Sequence, residues 1–335
     1  MLNILLSAIK IVFLLGFLIF IHEFGHFIVA KLFKVKVKEF AIGFGKILWQ
    51  KQGEETKYVL RLIPLGGFVN LLGEEESSDE EGSFSKAKQW KKILILLAGG
   101  TVNIIFGLVV YFLLITNMGN FISTTIDEIV PNTVAEEIGL QSGDVLIKIN
   151  NKKIRLKSDI DKLMTKGDEL VLSVKRNNEL LELNVTPQKD IESGRYMLGI
   201  RFRLASNDFK TNLYYGFWDT VNFTNSLVQN VKEIFTGNVG VNELSGPVGI
   251  SEIVVKTENT IQFVYVLALI SLSLGVTNLL PFPPLDGGKI LLLLIEAATR
   301  KPIKENVNNA IQMIGFLLIM ILAVVVTYND ILKLF

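Results

Sequence analysis

Residues 14–30 read LLGFLIFIHEFGHFIVA, an apolar run broken only by His22, Glu23 and His26 among its glycines. The run extends back to Leu2 and has no proline, so it predicts one helix long enough to cross a bilayer, which takes about 20 residues. Inside it, His22-Glu23-Phe24-Gly25-His26 is an H-E-x-x-H pattern. Positions i and i+4 share a helical face, so two imidazoles can grip one Zn²⁺ there. A glutamate beside the first histidine can take a proton from water at that metal. The plain alternative is two histidines near a helix end. It fits poorly, because an ionisable residue within a spanning helix costs roughly 2.5–3.5 kcal/mol on insertion scales, and three need a functional reason.

The chain as a whole agrees with a membrane setting. Half of its 335 residues are hydrophobic, too many for an ordinary soluble protein. A net charge of +1 gives no bulk attraction for nucleic acid, and no nucleic-acid partner is expected. The absence of cysteine excludes disulfides, iron–sulfur clusters, cysteine-bound zinc and a thiol nucleophile. Beyond the first run, Leu2 to Ala30, spans are expected at Ile93 to Met118, Ile261 to Leu280 and Ile311 to Thr327, with a shorter apolar run at Ile290 to Ala298. The first run is too long for a cleaved leader, lacks a small-x-small cleavage site and carries polar chemistry, so it is expected to remain.

Lysines set the orientation. Lys31, Lys34, Lys36 and Lys38 follow span one; Lys86, Lys88, Lys91 and Lys92 precede span two; Lys289, Arg300, Lys301 and Lys304 lie between spans three and four. By the positive-inside rule those two connections are cytoplasmic. Both termini and the segment 119–258 then lie outside.

Two pieces read as non-membrane structure. Residues 36–73, with Gly43, Gly45, Pro64, Gly66 and Gly67, suggest a hairpin or small sheet. The acidic run Glu74 to Glu81 reads as a solvated loop without a ligand role. Residues 121–187 alternate strand-like runs (Ser123–Val130, Val145–Asn150, Leu170–Lys175, Leu180–Val185) with short helical patterns at Thr133–Ile138 and Ser158–Met164. Residues 211–235 suggest an amphipathic surface helix. The expected division is span one to residue 35, a β region and loop over 36–90, span two over 91–118, an α+β domain over 119–205, an amphipathic region over 206–258, span three with its Pro/Asp-Gly segment over 259–300, and span four over 301–335.

A catalytic zinc takes three protein ligands and keeps one position open. With no third histidine and no cysteine, the third ligand must be a carboxylate. Asp286 is the leading candidate, in Asn278-Leu279-Leu280-Pro281-Phe282-Pro283-Pro284-Leu285-Asp286-Gly287-Gly288. Three prolines break the helix there and two glycines allow close backbone approach. Asp286 could also cap the helix that follows, and Glu296 is a second candidate ligand. Asn278 and Asn103 each have two readings, a donor to a developing oxyanion or an interhelical hydrogen bond, with packing favoured for Asn103. Gly99, Gly100 and Gly107 suit close helix contact.

Taken together, these residues resemble the site-2 proteases, and within them the bacterial regulator-of-sigma-E group of intramembrane zinc metalloproteases. The resemblance runs over nearly the whole chain. Its carriers are the H-E-x-x-H residues, Glu39 to Gly45, Pro64 to Val69, Ala98-Gly99 with Asn103, Gly246 to Ile250, and Asn278 to Gly288. It implies an α-helical polytopic membrane protein with four transmembrane helices, a membrane-associated β-hairpin and one extracytoplasmic PDZ domain, in a bacterial cytoplasmic membrane. It implies zinc on His22, His26 and Asp286, Glu23 as catalytic base, and Asn278 against the substrate near the scissile bond. An extended substrate could add to the edge of the hairpin. Substrates are expected to be single-span membrane proteins, such as anti-sigma factors or signal-peptide remnants, with helix-weakening residues near the cut. A peptide or partner is expected at the PDZ domain, as a gate or a passive module. Gly100, where the family usually has proline, puts the shape of span two in question. The rival readings are an inactive membrane scaffold and a metal transporter, the latter disfavoured by the lack of inverted repeats.

Overall fold

The computed structural model describes residues 2–74, 76, 78–190, 194–236 and 246–333. Two residues of the acidic run, residues 237–245 of the amphipathic region, and the side chains at 64 and 65 lie outside that description. In chain order the elements are α1 (Leu2–Leu32), β1 (Val37–Gln52), β2 (Lys57–Leu71), α2 (Gln89–Met118), β3 (Ile122–Ile129), α3 (Val134–Glu137), β4 (Val145–Ile149), β5 (Lys152–Lys153), α4 (Lys157–Leu163) and β6 (Leu170–Arg176). There follow β7 (Glu179–Val185), β8 (Gln188–Lys189), β9 (Tyr196–Met197), β10 (Ile200–Leu204), α5 (Phe209–Thr236), α6 (Pro247–Val255), α7 (Thr260–Asn278), α8 (Asp286–Thr299) and α9 (Glu305–Leu332). They fall into two compact units, residues 1–111 with 232–335, and residues 112–231.

In the first unit α1, α2, α7 and α9 are long and apolar enough to cross a membrane. Lipid is as apolar as leucine, so such helices associate through close packing rather than through exclusion from water. The glycines of α2 serve this. A Cβ on Gly107 would stand 2.8 Å from the Ala268 carbonyl of α7, and one on Gly100 would stand 2.9 Å from the Gly275 carbonyl. Gly100 therefore does not disturb α2, which is one continuous helix; the space of the absent side chain is filled by the Leu279 side chain and the Gly275 carbonyl. Helices α1 and α2 run antiparallel: His26 lies beside Ile95, while Phe17 meets Phe106 with ring centroids 5.6 Å apart.

β1 and β2 pair antiparallel with bends that double each strand. Ala41 pairs with both Phe68 and Val59, so the first leg of β1 lies between two legs of β2. This is the small sheet the glycines suggested, bent at Gly43 and Gly45, whose φ of +86° and +82° disfavour any side chain. Its base joins a cluster of Ala30, Val37, Leu71, Ile95 and Leu96, against which Ile290 and Leu293 of α8 pack. That cluster brings the start of α8 alongside the end of α1.

One element was not foreseen as a helix. α6 is a nine-residue helix with Pro247 in its first turn. The carboxylate of Asp330, on α9, accepts from the backbone N–H of Gly246 (2.9 Å) and of Gly249 (2.8 Å). Just beyond its other end, Lys10 of α1 donates to the Thr257 carbonyl at 2.9 Å. An anion at the N-terminus and a cation at the C-terminus both complement the helix dipole.

The second unit is a six-stranded sheet in the order β10-β3-β4-β6-β7, with β5 pairing β4, and every pairing in it is antiparallel. Helices α3 and α4 contribute Ala135 and Ile160 to a core that includes Ile126, Leu146, Ile149, Leu172 and Val174. Each buried isoleucine, leucine or valine among them contributes about 1.5–3 kcal/mol through burial. The fold continues past the last strand-like run identified in the sequence, because β10 returns to pair with β3 at the other end of the segment. Asp144 is buried and takes hydrogen bonds from Arg176 Nε and Nη2 at 2.8 and 2.7 Å.

Candidate metal centre

His22 and His26 fall on the buried face of α1. The H-E-x-x-H turn carries their rings to within 4.8 Å, centroid to centroid. The third group arrives from α8. The loop 279–285 carries Pro281, Pro283 and Pro284, which end α7 and restart the chain as a new helix. Gly287 lets that loop fold tightly over the first turn of α8: a Cβ there would stand 2.3 Å from the carbonyls of both Leu279 and Leu280. Leu285, not Asp286, is the residue at the N-cap of α8, and it makes no side-chain cap bond. The capping role considered for Asp286 is thus corrected. Its carboxylate points at the two histidines instead.

Asp286 Oδ2 lies 3.2 Å from Nε2 of His22 and 3.2 Å from Nε2 of His26, and the two Nε2 atoms are 3.2 Å apart. The three atoms form an equilateral triangle. Four ligands placed tetrahedrally around zinc, at its usual distances of about 2.0–2.1 Å, would be separated by about 3.3 Å. Donor types and spacing therefore both fit a zinc ion. Among the described residues, His22, His26 and Asp286 are the one group arranged to hold a metal. Glu296 is not in it; its carboxylate accepts from the backbone N–H of Ile303.

The ring of His26 is held from behind. Its Nδ1 is 2.8 Å from the carbonyl of Ile95 on α2, and a carbonyl can only accept, so Nδ1 carries the proton. The lone pair of Nε2 is then free for a metal. Room for both rings comes from Gly99. A Cβ there would stand 2.3 Å from His26 Nε2 and 2.8 Å from His22 Cε1. Gly99 was read in the sequence as a helix-contact residue; it is one, its Cα lying 3.1 Å from the Cβ position of Gly25 on α1, and the structure also sets it against both imidazoles. The pair of glycines in an apolar helix was the available signal, but not which partner each would meet.

Glu23 is half-buried beside the edge of β2, with the Cβ position of Gly67 only 3.3 Å from its Cγ. Asn278 is the last residue of α7 and half-buried, and its neighbour Leu279 packs against Gly287, next to Asp286. Glu74 was read as part of a solvated loop. It accepts instead from Lys289 Nζ at 2.8 Å, three residues after Asp286. Sequence reasoning could not have paired residues so far apart in the chain. The side chain of Asn103 is fully buried and among the described residues has no hydrogen-bond partner, so no side-chain interhelical bond is formed there.

A profile of peptidase family M50 matches residues 10–322. "Putative zinc metalloprotease CPE1693" of Clostridium perfringens is 39% identical over 325 residues, covering 94% of this chain and 95% of that protein. The regulator of sigma-W protease RasP of Bacillus subtilis is 29% identical over 421 aligned positions, covering 98% of this chain and 99% of that protein. Among solved structures, the PDZ domain of an SdrC-like protein from Listeria innocua aligns at 16% identity with a TM-score of 0.23, covering 26% of this chain and 99% of that one.

Proposed function

This chain belongs to peptidase family M50, the site-2 proteases, and from that membership and the metal centre we propose that it hydrolyses peptide bonds of membrane-spanning substrates at membrane depth. The single observation that carries the proposal is the convergence of His22, His26 and Asp286 next to Glu23. In this reading the three residues hold zinc, which when bound supplies Lewis acidity toward water and the scissile carbonyl. Glu23 takes the proton of the attacking water and returns it to the leaving amine. Asn278 donates to the carbonyl oxygen as charge develops on it. The edge of β2 passes Glu23 at Gly67, and an extended substrate pairs along that edge. A helical substrate must unwind to reach it, which favours single-span substrates with helix-weakening residues.

The same reading gives the remaining parts their roles. The four apolar helices lie in a bacterial cytoplasmic membrane, with both termini and the second unit on the outer side, as the lysine distribution supports. The antiparallel sheet with its two short helices serves as a PDZ domain, over about residues 119–205, that admits substrates already trimmed outside the membrane.

The test is cleavage of a tagged single-span substrate in membranes, with zinc measured on each purified variant. Glu23→Gln is expected to keep zinc and lose at least about 100-fold in rate, the usual scale for a positioned acid–base group. Asp286→Asn is expected to lose most of its zinc. If Glu23→Gln cuts at the wild-type rate, the activity belongs elsewhere and the proposal fails.

A further inference from the structure

Among the described residues, two buried polar groups on the α1–α2 contact at the metal centre lack hydrogen-bond partners. One is Nδ1 of His22; the other is the whole amide of Asn103, fully buried with neither Oδ1 nor Nδ2 hydrogen-bonded. A buried amide left unpaired is costly, and a ring nitrogen opposite a metal usually donates to an acceptor that fixes its orientation. His26 has such an acceptor in the Ile95 carbonyl. His22 has none.

Their placement relates the two gaps. Ile95, Gly99 and Asn103 follow one another at four-residue steps, so they share one face of α2. Ile95 holds His26, and Gly99 lies against the rings of both histidines. Asn103 is the next position on that face. Because α1 and α2 are antiparallel, moving from Ile95 to Asn103 along α2 corresponds to moving from His26 past His22 along α1. Helical side chains lean toward the N-terminus of their own helix. In an antiparallel pair those leanings converge: His22 leans toward the level of Asn103, and Asn103 leans toward the level of His22.

We propose that Asn103 is the positioning residue for His22, its Oδ1 accepting the Nδ1 proton across one bridging water. The bond selects the tautomer with the Nε2 lone pair facing Asp286, as the Ile95 carbonyl does for His26. A bridging water has the polar partners it needs in His22 Nδ1 and the two amide atoms of Asn103. The role rests on the metal reading above. It makes one face of α2 the holder of both imidazoles.

The test is zinc affinity of the full-length protein by chelator competition, together with the visible spectrum of the Co²⁺-substituted form. Asn103→Leu keeps the volume and removes the acceptor; Asn103→Asp keeps an acceptor. Ser271→Ala is the control, since Ser271 Oγ donates to the backbone carbonyl of Asn103 at 2.9 Å and does not involve its side chain. Asn103→Leu is expected to bind zinc roughly 10–100-fold more weakly, the range for loss of a partner behind a ligand, and to shift the Co²⁺ bands. Asn103→Asp restores affinity, and Ser271→Ala leaves it unchanged. Equal affinity and equal spectra in wild type and Asn103→Leu overturn the role while leaving the metal centre intact. A wild-type protein that takes up no zinc overturns both. Should Asn103→Leu not fold, the nitrogen resonance of His22 Nδ1 decides in Asn103→Asp: a shift against wild type supports the bond, and no shift overturns it.

Discussion

Replacing Gly99 with alanine tests the centre most directly, because it adds one methyl group and changes no ligand. Carbon and nitrogen atoms in ordinary contact are about 3.5–4.0 Å apart. The added Cβ would stand 2.3 Å from His26 Nε2 and 2.8 Å from Cε1 of both rings. Relief requires a shift of more than about 1 Å at His26, whereas metal–ligand distances tolerate about 0.2 Å. Neither partner has room to yield. His26 is tied to Ile95, and α1 already touches α2 one residue away, where a Cβ on Gly25 would meet the Ala98 carbonyl at 2.7 Å. Zinc affinity is therefore expected to fall by at least about 100-fold, or about 2.8 kcal/mol at 1.4 kcal/mol per decade.

The assay is chelator competition on protein shown by circular dichroism to keep its helices. Gly107→Ala is the matched control: its Cβ would meet Leu272 Cγ at 2.5 Å and the Ala268 carbonyl at 2.8 Å, so it strains the α2–α7 contact and not the rings. Its cost is expected at about 1–3 kcal/mol of stability, the range for overpacking, with zinc affinity near wild type. Two results refute the reasoning. One is wild-type zinc affinity in Gly99→Ala. The other is an equal loss in Gly107→Ala, which would mean that general loosening of α2, and not displacement of the imidazoles, governs the site.

Asp330→Ala removes the acceptor for two backbone N–H groups at the start of α6 and is expected to cost about 1–3 kcal/mol in detergent unfolding, with Asp330→Asn losing less because an acceptor remains. In the second unit, burial opposes ionisation of Asp144, yet hydrogen bonds from Arg176 and the Gln141 N–H outweigh it and hold the carboxyl below the usual carboxylate range. A depressed folded value gives stability that is complete above the unfolded pKa of about 3.9 and is lost as pH falls below it. Segment 119–205, which contains the hydrophobic core of that unit, should therefore lose thermal stability below about pH 4, and Asp144→Asn should cost about 2 kcal/mol at pH 7 and flatten the acid dependence.

The residues that could be read from the sequence are those whose chemistry resides in a side chain. Histidine spacing, a glutamate between, and an aspartate after a run of prolines are all visible in one dimension, as are four apolar runs whose helices differ from the expected spans by a few residues at their ends. The holders of the site are of another kind. Ile95 acts through its backbone carbonyl and Gly99 through the absence of a side chain, and neither property is written in residue type. α6 was missed because its ends are satisfied by Asp330 and Lys10, more than eighty positions away on either side. β10 had a usable signal, the alternation Ile200-Arg-Phe-Arg-Leu204, but short alternation after a turn is ambiguous until a partner strand is known.

Charge supplies the last step, on the proposed reading of the centre. Imidazoles that bind metal are neutral. Around them stand three carboxylates, Glu23, Glu74 and Asp286, and one ammonium, Lys289, which pairs with Glu74 at 2.8 Å. The cluster therefore carries two negative charges, and unpaired charge is expensive wherever water is scarce. A divalent cation brings the total to zero; a monovalent cation does not. The lysine also separates the two jobs of the carboxylates, because by taking up Glu74 it leaves Asp286 to face the imidazoles and Glu23 free of an ion pair with it. A transport site would gain nothing from a carboxylate such as Glu23 set beside a strand edge and outside the ligand triangle. A hydrolytic site needs one there, within reach of water and of the extended backbone that the edge of β2 would hold.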